Sequence, residues 1–207
     1  MQAQPTASAV PDDDDCLRRY AAGEQAAFAR LYDRYDRSSW DFIRRMLHPA
    51  DDAAAQDVHQ ETWIAVARAA GTFDATKARF VTWLFTIARN KLMDHLRHRS
   101  TVVRLFAEPA GDADLPDGLP ADASWQPEQR FESSEAGQAL VDQVSRLPRV
   151  QREAFVLFAL EDLSLQEIAD VSGVGVETVK SRIRYARNTL RTRLDAWRHA
   201  DVRTTRR

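Results

Sequence analysis

The sequence predicts an all-α protein: two small helical domains joined by an acidic flexible linker, the second domain containing a helix-turn-helix. Three observations predict it. Apolar residues recur at spacings of three and four across residues 28–47, 55–69, 80–96 and 179–194. No segment alternates apolar and polar residues as a strand does. The stretch Thr101 to Pro127 holds Pro109, Pro116, Pro120 and Pro127, two glycines and scattered Asp with no sustained period, as a linker does. These features divide the chain into a domain over 12–99, a linker over 100–127, a domain over 128–196 and a basic tail over 197–207.

In the first domain, a weak helix around Cys16 to Ala22 is expected to precede three stronger ones. Phe28, Leu31, Tyr35, Phe42, Ile43, Met46 and Leu47 mark a long amphipathic helix that His48-Pro49 ends. Asp51 and Asp52 stand where caps and dipole-complementing acids belong, ahead of a helix carrying Ala55, Val58, Ala65, Val66 and Ala69 that stops at Gly71. After the loop Thr72 to Arg79, a third helix carries Phe80, Leu84, Ile87, Ala88, Leu92 and Leu96. In the second domain, Phe131, Leu140, Val141, Val144 and Leu147 read as one helix ended by Pro148, and Ala154, Phe155 and Phe158 as another. Ser164-Leu165-Gln166-Glu167 has capping-box spacing and opens a short helix to Ser172. Gly173 then supplies a tight turn, and Val179, Ile183, Ala186, Leu190 and Leu194 stripe a longer helix.

Charge is balanced in total and segregated along the chain. Residues 1–99 carry 14 basic and 14 acidic side chains, residues 100–147 carry 3 and 9, and residues 148–207 carry 12 and 8. Two segments are denser still: 76–104 with 7 basic against 1 acidic, and 174–207 with 10 against 3. Basic islands of this density suit a polyanion, most often nucleic acid. The longest apolar runs are too short for a membrane span, which needs roughly 20 residues, and Met1 to Val10 lacks the basic start and apolar middle of a secretion signal. The single cysteine, Cys16, excludes an intrachain disulfide and fits a reducing compartment, so a cytoplasmic location without membrane insertion is expected.

A short helix, a Gly turn and a longer basic helix form a helix-turn-helix whose second helix suits the major groove. Its first residues are placed to reach base edges and the groove: Glu177, Thr178, Lys180, Ser181 and Arg184. Arg182, Arg187 and Arg191 are assigned to phosphates. The first domain interleaves Phe73, Phe80, Trp83 and Phe85 with Lys77, Arg79, Arg89, Lys91, Arg97 and Arg99. Rings among cations suit single-stranded DNA, whose bases stack at about 1–3 kcal/mol each while the cations follow the backbone.

These motifs, in this order, resemble those of a bacterial RNA polymerase sigma factor of the extracytoplasmic-function (ECF) group. Asp57-Val58-His59-Gln60-Glu61-Thr62 resembles the segment that binds the polymerase clamp, and Phe80 through Asn90 the melting and minus-ten segment. Leu147-Pro148 through Leu194 resembles the minus-thirty-five-binding domain. The resemblance implies two domains, sigma region 2 and region 4, with core RNA polymerase and promoter DNA as partners and an anti-sigma factor as a regulator. It implies neither enzymatic activity nor a cofactor.

It also implies that Asp57, Gln60 and Glu61 offer acceptors to an arginine-bearing polymerase surface. Thr62 is grouped with them, its position suggesting a phosphorylation switch as well. Phe73, Lys77, Arg79, Phe80, Trp83, Arg89 and Asn90 form the minus-ten set, in which the loop Thr72 to Arg79 holds a flipped base and Asn90 lies near the upstream end. The acidic linker enters the polymerase cleft. Three positions depart from the pattern: Trp83-Leu84 where housekeeping sigma factors have tandem tryptophans, Gly175-Val176-Glu177-Thr178 where Pro-Val-Gly-Thr is frequent, and Tyr185 where arginine is common.

Two other functions were weighed. A stand-alone helix-turn-helix regulator calls for a dimerisation or ligand domain, and nothing in the sequence resembles one. A metal-dependent hydrolase built on Asp94, His95 and His98 lacks a further ligand set, and no metal is expected.

Overall fold

The computed structural model describes residues 12–47, 51–102, 135–160 and 163–204; His48-Pro49, Phe131, the linker 100–127 beyond residue 102 and the end of the tail lie outside the described residues. All the regular structure among them is helical: α1 Asp13–Ala21, α2 Gln25–Met46, α3 Asp52–Ala69, α4 Phe80–Val102, α5 Glu135–Ser145, α6 Arg149–Leu160, α7 Leu165–Ser172 and α8 Val176–Thr204. A short 3-10 turn, Ala70–Thr72, closes α3.

Helix α1 packs Cys16 and Leu17 against α2 and the start of α4. Its acidic first turn does more than complement a dipole. Asp13 accepts from the Tyr35 hydroxyl and pairs with Arg34. Asp14 accepts from the Phe80 amide at 2.9 Å, so α1 supplies a cap to α4 from 66 residues away. Gly23, at φ 106°, makes the reversal into α2.

Apolar packing forms two clusters that meet along α4. One gathers Leu17, Leu31, Trp63, Val66, Phe80 and Leu84. The other joins Phe42, Ile43, Val58, Val81, Phe85, Ala88 and Leu92 of the N-terminal half to Val144, Leu157, Ile168, Val179, Ile183 and Leu190 of the C-terminal half. The two halves therefore share one core, with α4 against α7 and α2 against α6.

The helix-turn-helix forms as its residues dictate. The Ser164 hydroxyl accepts from the Glu167 amide, the Glu167 carboxylate accepts from the Ser164 amide, and Gly173 takes the left-handed conformation at φ 68°. Val179, Ile183, Ala186 and Leu190 are buried and Lys180 is exposed, so α8 turns its basic side outward.

Three local expectations change. Asp51 takes the N-cap position of α3 but makes no side-chain cap hydrogen bond. Pro148 begins α6 rather than merely ending α5, its carbonyl accepting from the Gln151 and Arg152 amides. Val141 is 43% exposed, because α5 turns Val144 inward and leaves Val141 lining a groove with Trp40. Replacing Ser164 with Ala removes one half of the capping box and is expected to cost about 1 kcal/mol, read as a lower urea midpoint with an unchanged slope.

Candidate polymerase and promoter surfaces

Helix α3 has a buried stripe and an exposed one. Ala55, Val58, Thr62 and Val66 face inward, while Asp57, Gln60, Glu61 and Ile64 lie three and four apart on the outside. Two carboxylates, an amide and an exposed Ile64 thus share one face. Ile64 was absent from the sequence-based set; its 41% exposure on an otherwise polar stripe is what marks it. Glu61 also lies 3.6 Å from Lys91 of α4.

Thr62 has to be removed from this surface. It is fully buried and its hydroxyl donates to the Val58 carbonyl at 2.7 Å, so it neither meets a partner nor accepts a phosphate in this conformation.

Beneath the stripe, a polar knot joins α3 to α2. The Trp63 indole N–H donates to His59 Nε2 at 3.1 Å and lies 3.3 Å from the Ser39 hydroxyl, which sits 3.0 Å from the same imidazole nitrogen. Asp36 approaches that nitrogen at 3.6 Å. Burial lowers the His59 pKa, opposed by Asp36, and the indole donor requires an unprotonated acceptor.

The minus-ten candidates divide in three. The loop before α4 is braced by Asp74, whose carboxylate accepts from the Thr76 hydroxyl at 2.6 Å and amide at 3.0 Å and pairs with Lys77 at 3.1 Å; these contacts hold its pKa below the usual range. Phe73 and Trp83 are half-buried with ring centroids 5.2 Å apart, and Lys77, Arg79 and Asn90 are exposed. Phe80 is withdrawn from the base-stacking set: it is fully buried, packed between Tyr35, Phe73 and Trp83. Phe85 is likewise core, edge-on to Phe42 at 5.4 Å.

The third group faces the C-terminal half. Arg89 Nε donates to Glu153 Oε1 at 2.6 Å, with the Glu153 side chain 4% exposed. Glu167 accepts from Arg79 at 3.2 Å and from the Thr82 hydroxyl at 3.0 Å. Burial alone would raise the Glu167 carboxyl, but the Ser164 amide and hydroxyl, Thr82 and the Arg79 charge together hold it below the ordinary value.

On α8, Glu177, Lys180 and Arg191 are exposed and Thr178, Ser181, Arg182, Arg184 and Arg187 partly so. Lys180 bonds Glu177 at 2.6 Å, and the Arg184 guanidinium lies 5.2 Å from the Tyr185 ring centroid. Among the described residues no group of three or more His, Cys, Asp or Glu side chains could hold a metal ion, and Asp94 pairs with Arg97.

An α3 face of acceptors, a cationic aromatic α4 and an outward basic helix-turn-helix define a transcription protein of the sigma-70 class. The chain matches the family models of Sigma-70 region 2 over residues 25–102 and Sigma-70 region 4 over 137–190. It is 32% identical to the ECF RNA polymerase sigma factor SigW of Bacillus subtilis over 180 residues, 86% of this chain and 94% of that protein. To SigK of Mycobacterium tuberculosis it is 30% identical over 89% of this chain and 94% of the other. The solved structure of CnrH in complex with the cytosolic domain of CnrY is similar at TM-score 0.60 and 26% identity, over 89% of this chain and 97% of that one. RpoE of Bartonella quintana, solved with the anti-sigma factor NepR, shares the fold at TM-score 0.62 and 24% identity, over 81% and 96%. The chain belongs to the ECF RNA polymerase sigma factors, the promoter-directing subunits of transcription initiation.

The His59 knot has a measurable sign. With the folded pKa below the free value of about 6.5, the knot's full contribution is present above pH 6.5 and is lost as pH falls through the folded pKa. The wild-type urea midpoint is therefore expected to drop between pH 7.5 and 5 more steeply than that of His59→Gln, which keeps an acceptor for Trp63 without titrating there.

Proposed function

We propose that the two halves divide the work of initiation as sigma region 2 and region 4, with residues 12–99 engaging core polymerase and the minus-ten element and residues 128–196 engaging the minus-thirty-five element. The observation that carries this reading is the opposite polarity of two outward faces. The α3 stripe Asp57, Gln60, Glu61 and Ile64 offers acceptors and an apolar contact to protein, whereas α8 offers Lys180, Arg184, Arg187 and Arg191 to a polyanion.

Within α4 and its loop, Phe73 and Trp83 supply the rings on which an unpaired base stacks, and Lys77, Arg79, Arg89 and Asn90 contact the strand around it. The braced loop 73–79 is a fixed cradle, which reduces the ordering cost of holding a flipped base. On α8, the helix start Glu177, Thr178, Lys180, Ser181 and Arg184 reads the major groove, while Arg182, Arg187 and Arg191 hold phosphates.

The chain acts by binding and positioning, with no chemical step of its own. Because it works on core polymerase, we place it in the cytoplasm; among the described residues no helix is long and apolar enough to cross a membrane. CnrH is solved with the cytosolic domain of CnrY, and by that likeness we extend a regulatory protein partner to this chain, the kind of partner that the sigma-factor resemblance implies as an anti-sigma factor.

In vitro transcription with core polymerase over a genomic promoter library, with and without the chain, is the direct test. Chain-dependent transcripts sharing two upstream elements are the expected result; sequence-specific footprints by the chain alone, without polymerase binding, would overturn the reading. Reversing charge with Asp57→Lys and Glu61→Lys is expected to weaken core binding by on the order of tenfold or more. Lys180→Ala with Arg184→Ala should leave core binding intact and lower promoter-specific transcription by a similar factor.

A further inference from the structure

The outward stripe of α3 and the polar knot behind it are two sides of one helix. Asp57, Gln60, Glu61 and Ile64 are exposed, while His59 and Trp63, one turn apart, face α2. The other buried residues of α3 are small: Ala55, Val58, Thr62 and Val66. Apolar packing of this kind is non-directional and tolerates rotation of a helix about its axis, whereas hydrogen bonds have narrow angular preferences. Ser39, fully buried on α2, lies 3.0 Å from His59 Nε2 and 3.3 Å from the Trp63 indole nitrogen, which donates to the same Nε2 at 3.1 Å. One imidazole nitrogen and one hydroxyl thus tie the two helices together.

The tie holds in one protonation state. With Nε2 bare, the Trp63 N–H donates to it, and the Ser39 hydroxyl is shared between that nitrogen and the Asp36 carbonyl at 3.0 Å. With a proton on Nε2, two donors face each other: Trp63 keeps the Ser39 oxygen alone, and the imidazolium is drawn to the Asp36 carboxylate 3.6 Å away. Among the described residues Asp36, on α2, is the charge acting on His59, and the Tyr32 hydroxyl donates to the same carboxylate. Ser39 and Trp40, the latter edge-on to the imidazole at 5.7 Å, carry none. Asp57 and Glu61 occupy the opposite side of α3, where Lys91 of α4 pairs with Glu61.

We propose that His59 is a positioning residue for polymerase binding: through Trp63 and Ser39, its Nε2 atom fixes the rotation of α3 on α2 and so the aim of Asp57, Gln60, Glu61 and Ile64 toward core polymerase. The role rests on the assignment of that stripe to the polymerase. Side chains stand roughly 5–6 Å from a helix axis, so a turn of about 20° moves the outer groups of α3 by about 2 Å. A shift of that size takes a charge-assisted hydrogen bond of about 2.8 Å beyond bonding distance. His59 itself is mostly buried behind the helix and acts only through the side chains that α3 carries outward.

The test uses the full chain and core RNA polymerase purified from the same bacterium, with affinity read by biolayer interferometry from pH 5 to pH 8. His59→Gln keeps an acceptor for Trp63 without titrating in that range, and His59→Leu keeps bulk without an acceptor. Ser39→Ala removes the α2 side of the knot. His98→Gln, at an exposed histidine of α4, controls for the loss of a titrating ring. Far-UV circular dichroism follows the folded state of each variant at each pH. Anisotropy of a fluorescein-labelled 20-base-pair duplex of mixed sequence reports the basic side of α8, which the knot does not touch.

At pH 7.5, His59→Leu and Ser39→Ala are expected to bind core polymerase on the order of tenfold more weakly than wild type, with duplex affinity unchanged and His59→Gln close to wild type. Burial opposes the charged imidazole, so protonation falls below pH 6.5. There wild type should lose polymerase affinity relative to His59→Gln, by about threefold or more at pH 5; the ratio cancels titration of the polymerase, and His98→Gln should follow wild type. Parallel pH profiles for wild type and His59→Gln overturn the proposal. So does a folded His59→Leu that binds polymerase as wild type does, or a loss of polymerase affinity matched by an equal loss for duplex; should leucine fail to fold, Ser39→Ala and the pH profiles decide. If the His59 results fail while Asp57→Lys with Glu61→Lys still weakens polymerase binding, the positioning role is refuted and the polymerase-facing assignment stands; if that pair has no effect, the assignment itself falls.

Discussion

Burying Glu153 is the most demanding step in this fold. A carboxylate that is almost fully removed from water requires a close cation, and Arg89 supplies it at 2.6 Å. Removing one partner of such a pair typically costs about 3–5 kcal/mol, whereas replacing both by apolar groups is often neutral or favourable. The pair is therefore a poor device for stability alone and a good one for fixing an arrangement: α4 must present Arg89 to α6 in one register. That register brings Thr82 and Arg79 to Glu167 and sends Val81, Phe85 and Ala88 into the shared core.

An interface of this composition also differs from a purely apolar one in what separation exposes. Apolar side chains such as Val81 and Leu157 gain nothing from water, whereas Arg89, Arg79, Glu153 and Glu167 carry groups that water hydrates well. Buried apolar area scales with the free energy of packing the halves together, while the charged pairs fix the register in which they meet. Arginine suits such a pairing because its rigid planar fork presents several N–H donors to a pair of carboxylate oxygens.

The helical periods, the capping box, the Gly173 turn and the outward basic side of α8 were all legible, because each depends on residues within one or two turns of one another. The segments around Asp57 to Glu61, Phe73 to Asn90 and Glu177 to Arg191 were also legible as stretches carrying exposed or half-exposed polar side chains. Individual side chains within them were not always assigned to the right face. Thr62 lies four residues from both Val58 and Val66, so helical arithmetic alone puts it on the buried stripe; a motif match overrode that signal. Phe80 belongs to the apolar stripe of α4 by the same arithmetic. The Asp14 cap on Phe80, the His59–Trp63–Ser39 knot and the Glu153 and Glu167 pairs join residues 20 to 88 positions apart, or sit on an unremarkable i and i+4 pair, and no local pattern announces them.

The basic side of α8 and the cations in and before α4 differ in what surrounds them. Among the described residues of α8, Val179, Ile183, Ala186 and Leu190 are buried against the core with Val176 packed beside them, while Lys180 and Arg191 are exposed. Helix α4 is packed on two faces, by α1 to α3 on one and by α6 and α7 on the other, and Arg89, like Arg79 in the loop before it, is paired with a carboxylate of the C-terminal half. An anion approaching Lys180 or Arg191 therefore meets an open cation or one with only a local partner, whereas one approaching Arg89 or Arg79 meets a carboxylate of the other half already in place.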